Sequence, residues 1–123
     1  MEFFRQLEQK YLPEQIQELC TLERLPELCD SIDSLLEHQG EQGEIYCLWG
    51  RFKIHRERIK QGVRFSLPGC PNALTWTVTA EPESLVIHCT INRSEHDPDF
   101  IESIDQFVDD WLNGLERNLT RGS

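Results

Sequence analysis

No run of about twenty apolar residues occurs in this chain of 123 residues, so no segment is long enough to cross a membrane as a helix. Glycine-rich phosphate loops, paired-cysteine metal motifs, a Gly-x-Ser-x-Gly elbow and a His-Glu-x-x-His sequence are all missing, as are calcium-loop spacing, internal repeats and low-complexity stretches. These absences remove the minimum parts of zinc hydrolysis, nucleophilic catalysis and phosphoryl transfer. The N-terminus places Glu2 and Arg5 among its apolar residues and offers no basic start or small-residue cleavage site, which reads as a cytosolic protein.

Cysteine is present but unpatterned. Cys20, Cys29, Cys47, Cys70 and Cys89 are odd in number and spread along a chain with enough apolar residues to fold unaided, so they read as reduced thiols, mostly buried as small hydrophobes. The pair His88 and Cys89, with His96 and Asp97, is the nearest approach to a thiol–base or metal constellation. Adjacent strand residues point to opposite faces, which separates His88 from Cys89. Neither catalytic residues, metal nor cofactor are expected. Glu95, Asp97, Asp99, Asp109 and Asp110 read as a solvated acidic surface.

Acid is in excess, with a net charge of −10, which opposes general affinity for nucleic acid or anionic lipid. The bases are nevertheless concentrated. Arg51, Lys53, Arg56, Arg58, Lys60 and Arg64 lie between Glu44 and Leu67 against only Glu44 and Glu57.

The chain is the size of one domain, 1–123, able to bury roughly two thirds of its unfolded surface. Phe3, Phe4, Leu7, Tyr11 and Leu12 recur at helical spacing until Pro13, then Ile16, Leu19 and Leu22 resume it; Leu25 leads into Pro26, and Leu28, Ile32, Leu35 and Leu36 continue its spacing up to a stop at Gly40. Helices are therefore expected over 2–12, 14–22 and 26–38. Alternation then changes to two, giving strands over 44–55, 62–67, 73–80 and 84–92, joined by links too short for anything but an antiparallel meander. Asp97 caps and Pro98 opens a final helix over 98–118, whose apolar stripe runs from Phe100 through Ile104, Phe107 and Trp111 to Leu115. The expected fold class is α+β: N-terminal helices, a four-stranded antiparallel meander sheet, and a long C-terminal amphipathic helix packed on one sheet face.

Dividing the strands by alternation assigns Tyr46, Leu48, Phe52, Ile54, Phe65, Trp76 and Ile87 to the core face. The opposite face takes Trp49, Arg51, Lys53, Arg64, a threonine row and His88. That face, with the hairpin carrying Arg56, Arg58 and Lys60, is the candidate binding surface, since Trp and Arg dominate interface energetics.

In size, charge and architecture, though in no motif, the chain is similar in kind to small secretion chaperones and to immunity or antitoxin proteins, which implies action by presenting a surface. The uninterrupted strand run departs from the helix-interrupted sheet of secretion chaperones. The expected function is a small acidic cytosolic, non-enzymatic interaction module that binds a protein partner through the open sheet face and basic hairpin. Two alternatives stand beside it: nucleic-acid binding through that hairpin, and a small-ligand pocket between sheet and last helix lined by Trp76, Phe107 and Trp111. A protein partner is expected and a membrane is not. Whether the chain forms a homodimer stays open.

Overall fold

A computed structural model of the chain describes residues 1–92 and 97–121, with side chains through residue 119. Its elements are β1 (Glu2–Leu7), α1 (Pro13–Leu19), a 3-10 turn (Leu22–Arg24), α2 (Leu25–Leu28), β2 (Ile32–Gln39), β3 (Gln42–Cys47), β4 (Gly50–Ile59), β5 (Gly62–Ser66), β6 (Thr75–Ala80), β7 (Leu85–Thr90) and α3 (Pro98–Arg121). All strand pairs are antiparallel, in the order β1-β7-β6-β5-β4-β3-β2. The expected α+β class holds. The expected four-stranded sheet does not, because the sheet has seven strands.

Three misread segments account for the difference, and each has a physical cause. β1 occupies part of the expected helix 2–12: its inward positions are Phe3, Arg5 and Leu7, while Phe4 points outward and is exposed. A charge inward and an aromatic ring outward erase the two-residue alternation. Arg5 tolerates its position because its guanidinium meets Asp105 and Asp109 of α3 at 3.1 and 2.6 Å.

β2 occupies much of the expected helix 26–38. Its register slips between Ile32 and Ser34 and again between Leu35 and Glu37. Each bulge inserts one unpaired residue, so the inward positions Ile32, Leu35 and His38 fall three apart instead of two. Three-residue spacing of apolar groups imitates a helix.

The expected strand 44–55 is two strands. Leu48 and Trp49, neither a usual turn former, make the bend between β3 and β4, and Gly50 follows at φ +111°, in a region L side chains avoid. Reversal at that point exchanges the faces of β3: Ile45 and Cys47 are buried, while Tyr46 and Leu48, placed in the core by alternation, are exposed.

α3 begins as expected, with Pro98 as its first residue and the Asp97 carboxylate accepting the Asp99 backbone N–H at 2.8 Å. Its buried residues Ile104, Phe107, Val108, Trp111 and Leu115 meet the inner sheet face. Trp76 lies edge-on to Phe107 at 4.9 Å, and Phe65 stacks on Trp76 at 5.3 Å. α1 lies over β5 and β6 on this same face, and α2 crosses α3 so closely that a Cβ on Gly114 would stand 1.9 Å from the Leu28 carbonyl oxygen. Every helix therefore shares one face of the sheet. Among the described residues, nothing lies over the other.

Candidate functional site: the uncovered sheet face

Directly paired residues in an antiparallel sheet project to the same face, so the strand registers map the uncovered surface. One row crosses five strands as Phe4, His88, Thr77, Arg64 and Glu57. A second crosses all seven as Glu2, Thr90, Thr75, Ser66, His55, Gln42 and Gln39. Lys53 with Glu44, and Arg51 with Tyr46, continue the surface across β4 and β3. It is a broad, hydroxyl-rich face with an exposed aromatic ring toward each side: Phe4 is 56% exposed and Tyr46 51%.

Four of the eight sequence-derived candidates reach this face. Arg51 donates from Nε to Glu44 Oε1 at 2.5 Å, and that hydrogen bond, opposed by burial and helped by the charges of Arg51 and Lys53, holds the Glu44 carboxyl below its ordinary value. Lys53 and Arg64 are exposed on neighbouring strands. His88 stacks flat on Phe4, centroids 4.3 Å apart and planes 2° from parallel, with Nε2 at 2.9 Å from Glu2 Oε1.

The other four are placed elsewhere. Trp49 lies on the helix side of the sheet: its Nε1–H donates to Ser103 Oγ at 2.8 Å and its ring packs 4.9 Å from Phe107 and 6.1 Å from Phe100. Arg56, opposite the fully buried Phe65, points into the core and is 5% exposed. Its Nε donates to the Cys20 carbonyl at 2.7 Å, its Nη2 to the Gln17 carbonyl at 2.6 Å, and its Nη1 to Glu41. This guanidinium is a strut between α1, the β2–β3 turn and β4, withdrawn from the surface by its burial. Arg58 pairs with the buried Val63 and so projects to the helix side near the hairpin tip, while Lys60 sits in the tip itself.

The basic hairpin of the sequence is consequently dispersed over two faces and an edge. The cations of the uncovered face are Arg51, Lys53 and Arg64, set against Glu2, Glu37, Glu44 and Glu57. Among the described residues, these cations form no continuous track of the kind that follows a phosphate backbone. Phe4, Tyr46 and Glu57 are members of the face that sequence reasoning did not select. The doublet Phe3-Phe4 carried the one usable signal, since consecutive strand residues cannot both face the core.

Both sheet edges are blunted. Met1 and Ile91 exchange backbone hydrogen bonds at 3.2 and 3.1 Å, so by alternation the backbone groups of Glu2, Phe4 and Gln6 face away from β7. The Phe4 carbonyl is occupied by Arg5 Nη1 at 2.8 Å. On the far edge, the two bulges of β2 break the regular ladder that an added strand would need.

On the helix side, Trp76, Phe107 and Trp111 pack on one another and are at most 1% exposed, so the expected aromatic pocket is core. A nearby apolar cleft of 160 Å³, lined by Trp49, Phe52, Leu67, Cys70, Pro71, Asn72, Leu74 and Phe100, falls below the roughly 300 Å³ at which ligand pockets begin. His88 and Cys89 do project to opposite faces, with Cys89 fully buried. His96 and Glu95 lie outside the described residues. Burial pushes the thiols of Cys20 and Cys89 up to about 12 and raises those of Cys29 and Cys47, which disfavours the nucleophilic thiolate at all four. No helix among the described residues is long and apolar enough to cross a membrane. No protein-family model matches the chain, and a search of curated proteins finds no match.

Proposed function

We propose that this protein is a non-enzymatic interaction module whose working surface is the uncovered face of the seven-stranded sheet, and that its ligand is a protein. One observation carries the reading: α1, α2 and α3 all pack on the same side, leaving a face more than twenty ångströms across with exposed aromatic rings at Phe4 and Tyr46 and charged groups between them. Aromatic anchors amid polar side chains that can hydrogen-bond are the composition of protein contact surfaces. The blunted edges support the face over strand addition as the mode of contact.

Site-specific photo-crosslinking in the producing cells tests this. A crosslinker replacing Thr77, at the centre of the face, is expected to give protein adducts, whereas one replacing the exposed Glu102 on α3 is expected to give none above background. Adducts from position 102 and none from position 77 would reverse the assignment of the surface.

A further inference from the structure

Across β2, β3 and β4 the strand registers set three rows of residues side by side. Gln39, Gln42 and His55 form one outward row, and Glu37, Glu44 and Lys53 form another. His38, Gly43 and Ile54 lie between them and turn to the helix side, where His38 meets Glu23 at 2.7 Å and Ile54 is buried. The middle row therefore leaves only backbone on the outer surface, and a furrow opens between two polar walls. Two depressions, of 360 and 270 Å³, share Gln42, Gly43 and Lys53 and follow this line from β2 to Pro68, in the segment after β5.

The groups along the walls are uncommitted. Among the described residues, Gln39, Gln42, His55, Glu37 and Lys53 form neither an ion pair nor a side-chain hydrogen bond. Glu44, midway along its wall, is already bound by Arg51. That leaves one open carboxylate at Glu37 and one open ammonium at Lys53, two strands apart.

Resting on the assignment of this face to protein contact, we infer that the furrow holds a short extended segment of the partner protein. The segment lies across the strands, with a basic side chain at Glu37 and an acidic one at Lys53. Length, hydrogen bonding and charge each favour this occupant. From β2 to the Pro68 segment there are three strand spacings of about 4.8 Å, room for about four extended residues at about 3.3 Å each. An extended chain brings unpaired backbone N–H and C=O groups, and the side-chain amides of Gln39 and Gln42 can each donate and accept. The open charges lie about 10 Å apart at that strand spacing, within reach of side chains two to four residues apart on such a segment. The chain's net charge of −10 disfavours an acidic segment, so the paired charges of the occupant should sum to zero or above. Contact through side chains on the face also agrees with sheet edges that are closed to an added strand.

Panning a random octapeptide phage library on the immobilised full chain, followed by fluorescence anisotropy with the selected peptides, tests the assignment. Enriched sequences are expected to carry Lys or Arg two to four residues from Asp or Glu. Their affinity is expected to fall about fivefold or more in Glu37→Lys and in Lys53→Glu, and to stay within about twofold in Arg64→Glu, which lies on the same face outside the furrow. Gln42→Ala, expected to weaken binding with no change of charge, gives a second reading, and circular dichroism on each variant confirms that the fold is kept. No enriched sequence, or peptides that bind both furrow variants as tightly as the parent, overturns the proposal. So does an Arg64→Glu loss as large as those of Glu37→Lys and Lys53→Glu. Adducts from position 77 with no enriched peptide would keep the face as a contact surface and remove only the furrow. Neither adduct nor peptide would remove both.

Discussion

Arg56 Nε donates to the carbonyl oxygen of Cys20 across 2.7 Å inside the core, and this contact explains why one base of an apparently basic hairpin is absent from the surface. A guanidinium has enough donors to satisfy two carbonyls and a carboxylate together, as it does here with Cys20, Gln17 and Glu41. Its cost of burial is offset only while all three partners stay in place.

Arg56→Met is therefore expected to destabilise the fold by about 3 kcal/mol, because two buried carbonyls lose their donors. Arg56→Lys keeps the charge but not the planar fork and should recover less than half of that loss. Urea denaturation of both variants supplies the comparison. A stability change under about 0.5 kcal/mol for Arg56→Met would mean the strut is not structural.

Gly114→Ala sets two effects against each other. Alanine favours a helix interior by about 1 kcal/mol over glycine. Its Cβ, however, would meet the Leu28 carbonyl oxygen at 1.9 Å and the Leu28 carbonyl carbon at 2.3 Å, both backbone atoms that yield only if α2 moves. Sterics should prevail, with a net loss of about 2 kcal/mol or more by thermal or denaturant unfolding. A stabilised variant would refute the close crossing of α2 and α3.

Thiol accessibility offers a third check. Cys20, Cys29, Cys47 and Cys89 are buried with raised pKa values, while Cys70 is partly exposed at the rim of the apolar cleft. Ellman's reagent on the native protein near pH 8 is expected to modify Cys70 first, with the remaining four reacting fully only in denaturant. Rapid modification of two or more thiols in the native state would contradict the core assignment.

Glu44 supplies a pH dependence with a definite sign. Its carboxyl is held below the ordinary value of 4.5, first by the hydrogen bond from Arg51, which burial opposes, and further by the charges of Arg51 and Lys53. A folded value below the unfolded one adds stability that is complete above 4.5 and lost as pH falls through the depressed folded value. Glu44→Gln should thus melt below the parent at pH 7, with the gap closing on acidification. A gap that widens in acid would reverse the sign.

The parts of the fold legible in the sequence were those where local pattern and tertiary role agree. α3 carries its cap, its proline and its stripe in one segment, and β5, β6 and β7 alternate as strands with one buried face should. β1, β2 and the β3–β4 bend were illegible because long-range contacts decide them. Arg5 faces inward for the sake of Asp105 and Asp109, a hundred residues away, and the β2 bulges impose a spacing of three on Ile32, Leu35 and His38. The site was half legible: Arg51, Lys53, Arg64 and His88 follow alternation, whereas the Leu48-Trp49 bend carries Trp49 to the helix side, and β4 runs on past the expected strand end at 55, so that Arg56 lies inward two residues after Ile54 and meets the carbonyls of Gln17 and Cys20.

Hydroxyl-radical footprinting of the chain in native cell extract, compared with the purified chain at high dilution, tests the working surface most directly. Phe4 and Tyr46 on the uncovered face are expected to be protected in extract, while Leu12, 59% exposed beside α1, oxidises equally in both. Protection at Leu12 with Phe4 and Tyr46 unchanged would place the contact surface on the helices instead of the sheet.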